Sequence, residues 1–174
     1  MKDFKKFLII IIFCFSIYTP SYADVPYYID FKYILNQSEA GKKAQSFLKS
    51  KLENGIKNIK SKENKIQEEE KNIIQQKKVI SSDEYKKKVD ELRKKVSNLQ
   101  KEREKLLNSV AKERKKARDT LLKTLNPIIK DYMVEKRIRM VIDKKSLLLA
   151  DENLDITKDI TSILNNKLKS IKLN

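Results

Sequence analysis

The chain has 174 residues, 37% of them charged and 7% aromatic, with a formal net charge of +16. Two glycines, one cysteine and no histidine leave it without a glycine-rich phosphate loop, imidazole acid–base chemistry, a thiolate zinc set or an intrachain disulfide. Such a composition offers little for a large globular core and favours long helices or a coiled coil. Carboxylate-only metal or glycosidase sites stay open in principle, but the acidic residues stand among lysines on helical faces, the pattern of a solvated surface. Neither an enzyme nor a cofactor is expected.

In chain order, the first element is a charged start, Met1 to Lys6, then an apolar run from Phe7 to Tyr18, then Thr19-Pro20-Ser21-Tyr22-Ala23. This is the layout of a secretory signal peptide over residues 1–23, with Ser21 and Ala23 as the small residues of the cleavage site. The run is shorter than the roughly 20 residues a membrane-spanning helix needs. An uncleaved anchor is the alternative, and lipid modification of Cys14 is disfavoured by Phe13 before it. Cleavage after Ala23 removes the only cysteine and leaves a mature chain of net charge +14 beginning at Asp24. Export to the periplasm is the expected address.

Val25 to Phe31 reads as a short strand, with Pro26 near its start, where a missing amide proton is tolerable. From Lys42 to Leu125 the chain is charged and helical, and neither glycine nor proline occurs between Ile56 and Asn126. Leu52, Ile59, Ile66, Ile73 and Ile80 recur every seven residues, with Ile56 as an intermediate. A second series holds Tyr85, Leu92, Leu99 and Leu106, interleaved with Val89, Val96, Arg103 and Val110. This 4-3 spacing predicts a coiled-coil seam. Ser81-x-x-Glu84 matches a capping box, so the chain is expected to fold back there as an antiparallel hairpin. One continuous rod is the alternative. Folding at Ser81 sets Ile73 by Val89, Ile66 by Val96, Ile56 by Leu106 and Leu52 by Val110, and brings Glu63 near Arg103 as a cross-helix ion pair. The rising helix, at about 1.5 Å per residue, reaches roughly 60 Å. Glu63, Glu70 and Lys77 make its seam half polar.

Pro127 opens a new helix or kinks a continuous one. Met140-Val141-Ile142 and Leu147-Leu148-Leu149-Ala150 are further apolar runs. Asp155-Ile156-Thr157 then offers a cap for a last amphipathic helix carrying Ile160, Ile163, Leu164, Leu168 and Ile171. The expected fold class is mainly α: a coiled-coil arm, residues 42–125, inserted in a small β-stranded body made of residues 24–41 and 126–174. So small a body buries little apolar area alone, and oligomerisation is the usual remedy.

The arm carries 26 basic and 13 acidic residues, a net of +13, against +1 for the rest of the mature chain. Three clusters stand out: Lys86-Lys87-Lys88, Arg93-Lys94-Lys95 and Arg114-Lys115-Lys116. A basic helix addresses nucleic acid, anionic membrane or acidic protein, and solvation alone accounts for any single cluster. Export and the lack of aromatic residues among the clusters argue against nucleic acid. Acidic polypeptide and an anionic lipid or lipopolysaccharide surface remain as partners, and an exported coiled-coil spacer or tether of the envelope is the reading that needs neither.

The segment Tyr28-Ile29-Asp30-Phe31-Lys32-Tyr33-Ile34-Leu35-Asn36-Gln37-Ser38-Glu39-Ala40-Gly41-Lys42-Lys43-Ala44 resembles the opening of the Skp (OmpH-like) periplasmic chaperones. So does the ending Val141-Ile142-Asp143-Lys144-Lys145-Ser146, with Ala150-Asp151 and Leu154-Asp155-Ile156-Thr157. The resemblance spans the mature chain. It implies a homotrimer with a β-stranded body and three helical arms around a cavity, holding unfolded outer-membrane proteins without ATP. The nine residues of the three basic clusters are the candidates for client binding.

Overall fold

The computed structural model describes residues 25–174, so the expected signal peptide and its cleavage site lie outside the described residues. Strand β1 (Tyr27–Ile29) leads into a short helix α1 (Phe31–Gln37), and two long helices follow, α2 (Glu39–Gln76) and α3 (Ser82–Glu135). Strand β2 (Val141–Asp143), two single 3-10 turns and helix α4 (Thr157–Lys167) complete the chain.

The first three helices are capped locally, whereas α4 starts after Ile156 with no side-chain cap. Asp30 caps α1 by accepting the Tyr33 amide at 2.7 Å. Ser38 closes α1 and opens α2: its amide donates to the Ile34 carbonyl, and its hydroxyl accepts the Gly41 amide at 3.2 Å. The corner is tight enough that a Cβ on Gly41 would stand 2.1 Å from the Leu35 carbonyl oxygen, so no other residue fits there unshifted. Ser81 caps α3 by accepting the Glu84 amide at 3.2 Å, which is the break expected from Ser81-x-x-Glu84. The chain is therefore a hairpin, not a rod. With 38 residues, α2 extends about 57 Å. Helix α3 passes without interruption through Pro127, which opens no new helix. It ends where Arg137 adopts φ 55° and the Ile138 amide reaches back to the Met133 carbonyl at 2.8 Å, a left-handed cap usually given to glycine.

At the base the first and last parts of the described chain meet. β1 and β2 pair in parallel, Tyr27 to Val141, Tyr28 to Ile142 and Ile29 to Asp143, and Asp155 bridges the other side of Tyr28. A core of Ile29, Ile34, Ala40, Leu121, Leu125, Ile128, Ile138, Ile156, Ile160 and Leu164 lies between this ribbon, α1, α4 and the root of the hairpin. Helix α4 stops at Lys167 rather than carrying Leu168 and Ile171 as the periodicity suggested. Leu168 turns extended (φ −137°, ψ 102°), and both residues pack on the core from the tail that follows. That tail crosses to the hairpin, where the Asn174 amide donates to the buried Glu113 carboxylate at 3.2 Å and the Lys51 ammonium reaches the Asn174 carbonyl.

The seam corrects the expected register in one respect. The column Leu52, Ile59, Ile66 and Ile73 does face inward, with Ile59 and Ile73 buried. The intermediate layer, however, falls one residue earlier than expected. Ile56 is 52% exposed, while Leu106 sits against Gly55, where an added Cβ would meet its methyls at 2.4–2.5 Å. Val96 is likewise 51% exposed, and Ile66 shares a groove with Leu99 instead. Leu52 and Val110 line one groove, as the register required. The physical reason is the close fit of Leu106 against Gly55, with polar pairs across the helices in the same phase. Lys62 bonds Glu102, Glu69 bonds Lys95 at 2.6 Å, and Gln76 accepts from Lys88 at 2.7 Å, so polar layers alternate with the aliphatic ones. Glu63 and Arg103 do pair, at 3.5 Å.

Candidate binding surface of the hairpin

All nine residues of the three basic clusters lie on α3, strung along one helix rather than gathered at one point. Lys86, Lys87 and Lys88 occupy its first turns beside the hairpin tip, where the Lys77 ammonium lies 5.8 Å from the Tyr85 ring. Arg93, Lys94 and Lys95 follow within two turns. Arg114, Lys115 and Lys116 are about 30 Å farther toward the base at the helical rise.

Three of the nine are committed within the chain. Lys88 bonds Gln76 and lies 3.7 Å from Glu84, Lys95 is held by both oxygens of Glu69, and Arg93 pairs with Asp90 at 3.2 Å. The other six, Lys86, Lys87, Lys94, Arg114, Lys115 and Lys116, are exposed and form no ion pair among the described residues. Their side chains face solvent.

Helix packing adds residues that no linear cluster revealed. Lys42 and Lys49 of α2 stand with Arg114 and Arg118 of α3 around a groove at the root of the hairpin. The signal for them lies in the antiparallel register, because α2 and α3 residues far apart in sequence meet only after folding.

The groups with shifted protonation lie in the base, away from these basic surfaces. Burial pushes the Tyr132 phenol up, and its 2.6 Å hydrogen bond to Asp159 adds to the effect, giving about 12. Burial also pushes the Asp155 carboxyl up, but hydrogen bonds from Thr157 and the nearby Lys144 ammonium prevail and hold it below its ordinary value. Both serve to join elements: Tyr132 ties α3 to α4, and Asp155 ties the turn before α4 to the segment after β2. No group of three or more His, Cys, Asp or Glu residues able to hold a metal ion occurs among the described residues. No helix among them is long and apolar enough to cross a membrane.

Comparison with known proteins bears on the whole of this architecture. The model of one protein family, described as outer membrane protein (OmpH-like), matches residues 27–164, from β1 into α4. A crystal structure described as an OmpH-like outer membrane chaperone from Caulobacter crescentus superposes with a TM-score of 0.79 at 18% identity. The match covers 91% of this chain and 96% of that one. At that identity the likeness is one of fold. No curated protein matches the chain.

Proposed function

The chain belongs to the OmpH-like outer membrane protein family, a family of non-enzymatic chaperones, and on that premise we propose that it is an ATP-independent periplasmic holdase for unfolded outer-membrane proteins. The observation that carries the reading is the excess of positive charge on the hairpin, where six cluster cations of α3 are exposed and in no ion pair among the described residues. Fields of this kind act over about a Debye length, roughly 8 Å at physiological salt, and draw acidic chains toward the helices. Apolar side chains off the seam, such as Ile74 and Leu107, 59% and 54% exposed, then give weak and exchangeable contacts.

In this reading residues 24–41 and 126–174 form a body that assembles three copies, and residues 42–125 form the arm. Support for association comes from the base, where Leu148 and Leu149 are almost wholly exposed, Met140 is 58% exposed, and β2 pairs on one edge only among the described residues. Deleting roughly residues 57–104 should shorten the arm and leave the trimer intact by light scattering. A monomeric product would move the association to the arms.

The deciding experiment is suppression of aggregation of a denatured outer-membrane barrel protein by the purified mature chain without nucleotide. Suppression is expected at about one trimer per client. An envelope spacer would leave aggregation unchanged, and that result would sink the proposal. Replacing Lys86, Lys87 and Lys94 with Gln should slow capture of an acidic client and flatten its salt dependence, since steering acts chiefly on association. Lys88 and Lys95, already engaged with Gln76 and Glu69, should contribute less.

A further inference from the structure

The groove at the root of the hairpin, about 1050 Å³, has only cations among its charged lining residues. Lys42 and Lys49 stand seven residues apart on α2, Arg114 and Arg118 four apart on α3, so each pair shares a helix face. All four are exposed. Of the four, only Lys49 forms an ion pair among the described residues, with Glu53 at 3.8 Å, and both of those side chains are largely in solvent. The other two grooves are mixed: the one on the outer arm includes Glu69 and Glu102, and the one on the base includes Asp30, Glu152 and Asp155. The root groove thus differs from these two in that every charged residue lining it is a cation.

Between the cations lies an apolar floor of Leu48, Leu52, Val110, Ala117 and Leu121. Leu48, Val110, Ala117 and Leu121 are each at most 7% exposed, so each offers a ligand little open area. That shape discriminates between anionic amphiphiles. An acyl chain gains about 0.8 kcal/mol for each methylene it buries, and a floor already covered by its own neighbours hides few of them. An extended polypeptide presents single apolar side chains a few ångströms deep, with carboxylates between them to meet the rim.

We propose that this groove is a docking site for segments of unfolded polypeptide in which acidic and apolar residues alternate. The proposal rests on the holdase reading for the source of such segments, but the groove can be tested without it. The probes are fluorescent peptides of about twelve residues: one alternating Glu with Leu and Phe, one with Gln replacing each Glu, one with Ser replacing each apolar residue. Wild-type protein should bind the first at least tenfold more tightly than either of the others. Replacing Lys42, Arg114 and Arg118 together with Gln should weaken that peptide at least tenfold. Removing three charges elsewhere, at Lys130, Lys158 and Lys172, should change it less than twofold. All these positions are exposed, and circular dichroism checks that helicity is kept.

Equal effects of the two triple variants would overturn the proposal, as would equal affinity for the peptide lacking apolar residues. Binding of phosphatidylglycerol vesicles in place of the peptide, lost in the groove variant, would also overturn it in favour of a lipid headgroup. Failure of the wild type to suppress aggregation of a denatured barrel protein would remove the holdase reading and leave the peptide result standing. Suppression unchanged by the groove variant, with peptide binding insensitive to it, would remove the groove alone.

Discussion

The two glycines of this chain mark two ways of packing a helix. At the base, Gly41 lets α2 start against the carbonyl of Leu35, a backbone atom that cannot move without unmaking the α1–α2 corner. On the hairpin, Gly55 admits the methyls of Leu106, the mobile end of a side chain. The contrast extends to everything around them. The base joins distant segments through a buried aliphatic core and capped turns, whereas the outer hairpin alternates single aliphatic layers with half-exposed ion pairs. One end is held by close packing, the other in large part by ion pairs that solvent reaches.

The strongest break in that comparison is Gly41→Ala. The new methyl has no room against the Leu35 carbonyl, and the expected loss is about 2–3 kcal/mol in urea unfolding, despite the better helix propensity of alanine. Gly55→Ala should be far milder, because Leu106 can rotate and alanine regains about 1 kcal/mol of helix propensity. In a Leu106→Ala background the same change should turn stabilising, by about 1 kcal/mol. A stabilising Gly41→Ala, or a Gly55→Ala as costly as Gly41→Ala, would erase the distinction.

pH should act on the base. Tyr132 titrates in the folded chain at about 12, above its usual 10.0, so its contribution is complete below pH 10 and lost as pH rises toward 12. Tyr132→Phe should cost about 1 kcal/mol at neutral pH through the bond to Asp159 and flatten that alkaline limb. Asp155 has the opposite sign. Its folded value is lowered, so its contribution is present above the ordinary carboxylate range and fades as pH falls below about 4. Amide exchange across α4 should report both limbs, with the outer hairpin unaffected by either residue.

Salt should act on the hairpin, and the effect is the smallest. Glu63 and Arg103 are each close to half exposed, so a cycle of Glu63→Gln and Arg103→Gln should give a coupling of about 0.5 kcal/mol. At about 1 M salt, where the screening length is roughly 3 Å, that coupling should vanish. Coupling that persists there would mean the pair is held by packing.

Much of this division is legible in the sequence. Ser81 and Glu84 announce the turn, the sevenfold column from Leu52 to Ile73 announces the seam, and the apolar runs at Val25 and Met140 announce the two strands. What stays hidden depends on which residues meet. A hydrophobic pattern prefers Ile56 to Gly55 for the seam, because it counts apolar area and cannot see that a close approach, filled by Leu106, needs an empty position. It likewise places Val96 inside, since the bonds from Lys62 to Glu102 and from Lys95 to Glu69 that share the observed phase belong to pairs across the hairpin. The proposed binding surface is legible only in its linear part. Arg114 was visible within a basic cluster, whereas its partners Lys42, Lys49 and Arg118 became a group only through the antiparallel fold.

The parallel pairing of β1 with β2 constrains the order in which the molecule can form. Tyr27 and Val141 are more than a hundred residues apart, and closing so long a loop in a disordered chain costs entropy before any strand contact repays it. The hairpin offers a shortcut. Once the turn at Ser81 has nucleated and α2 and α3 have zipped toward the base, the separation left to close shrinks to a few residues at either end. The long helices are therefore expected to form first and to serve as a template, with the ribbon that joins their ends made last.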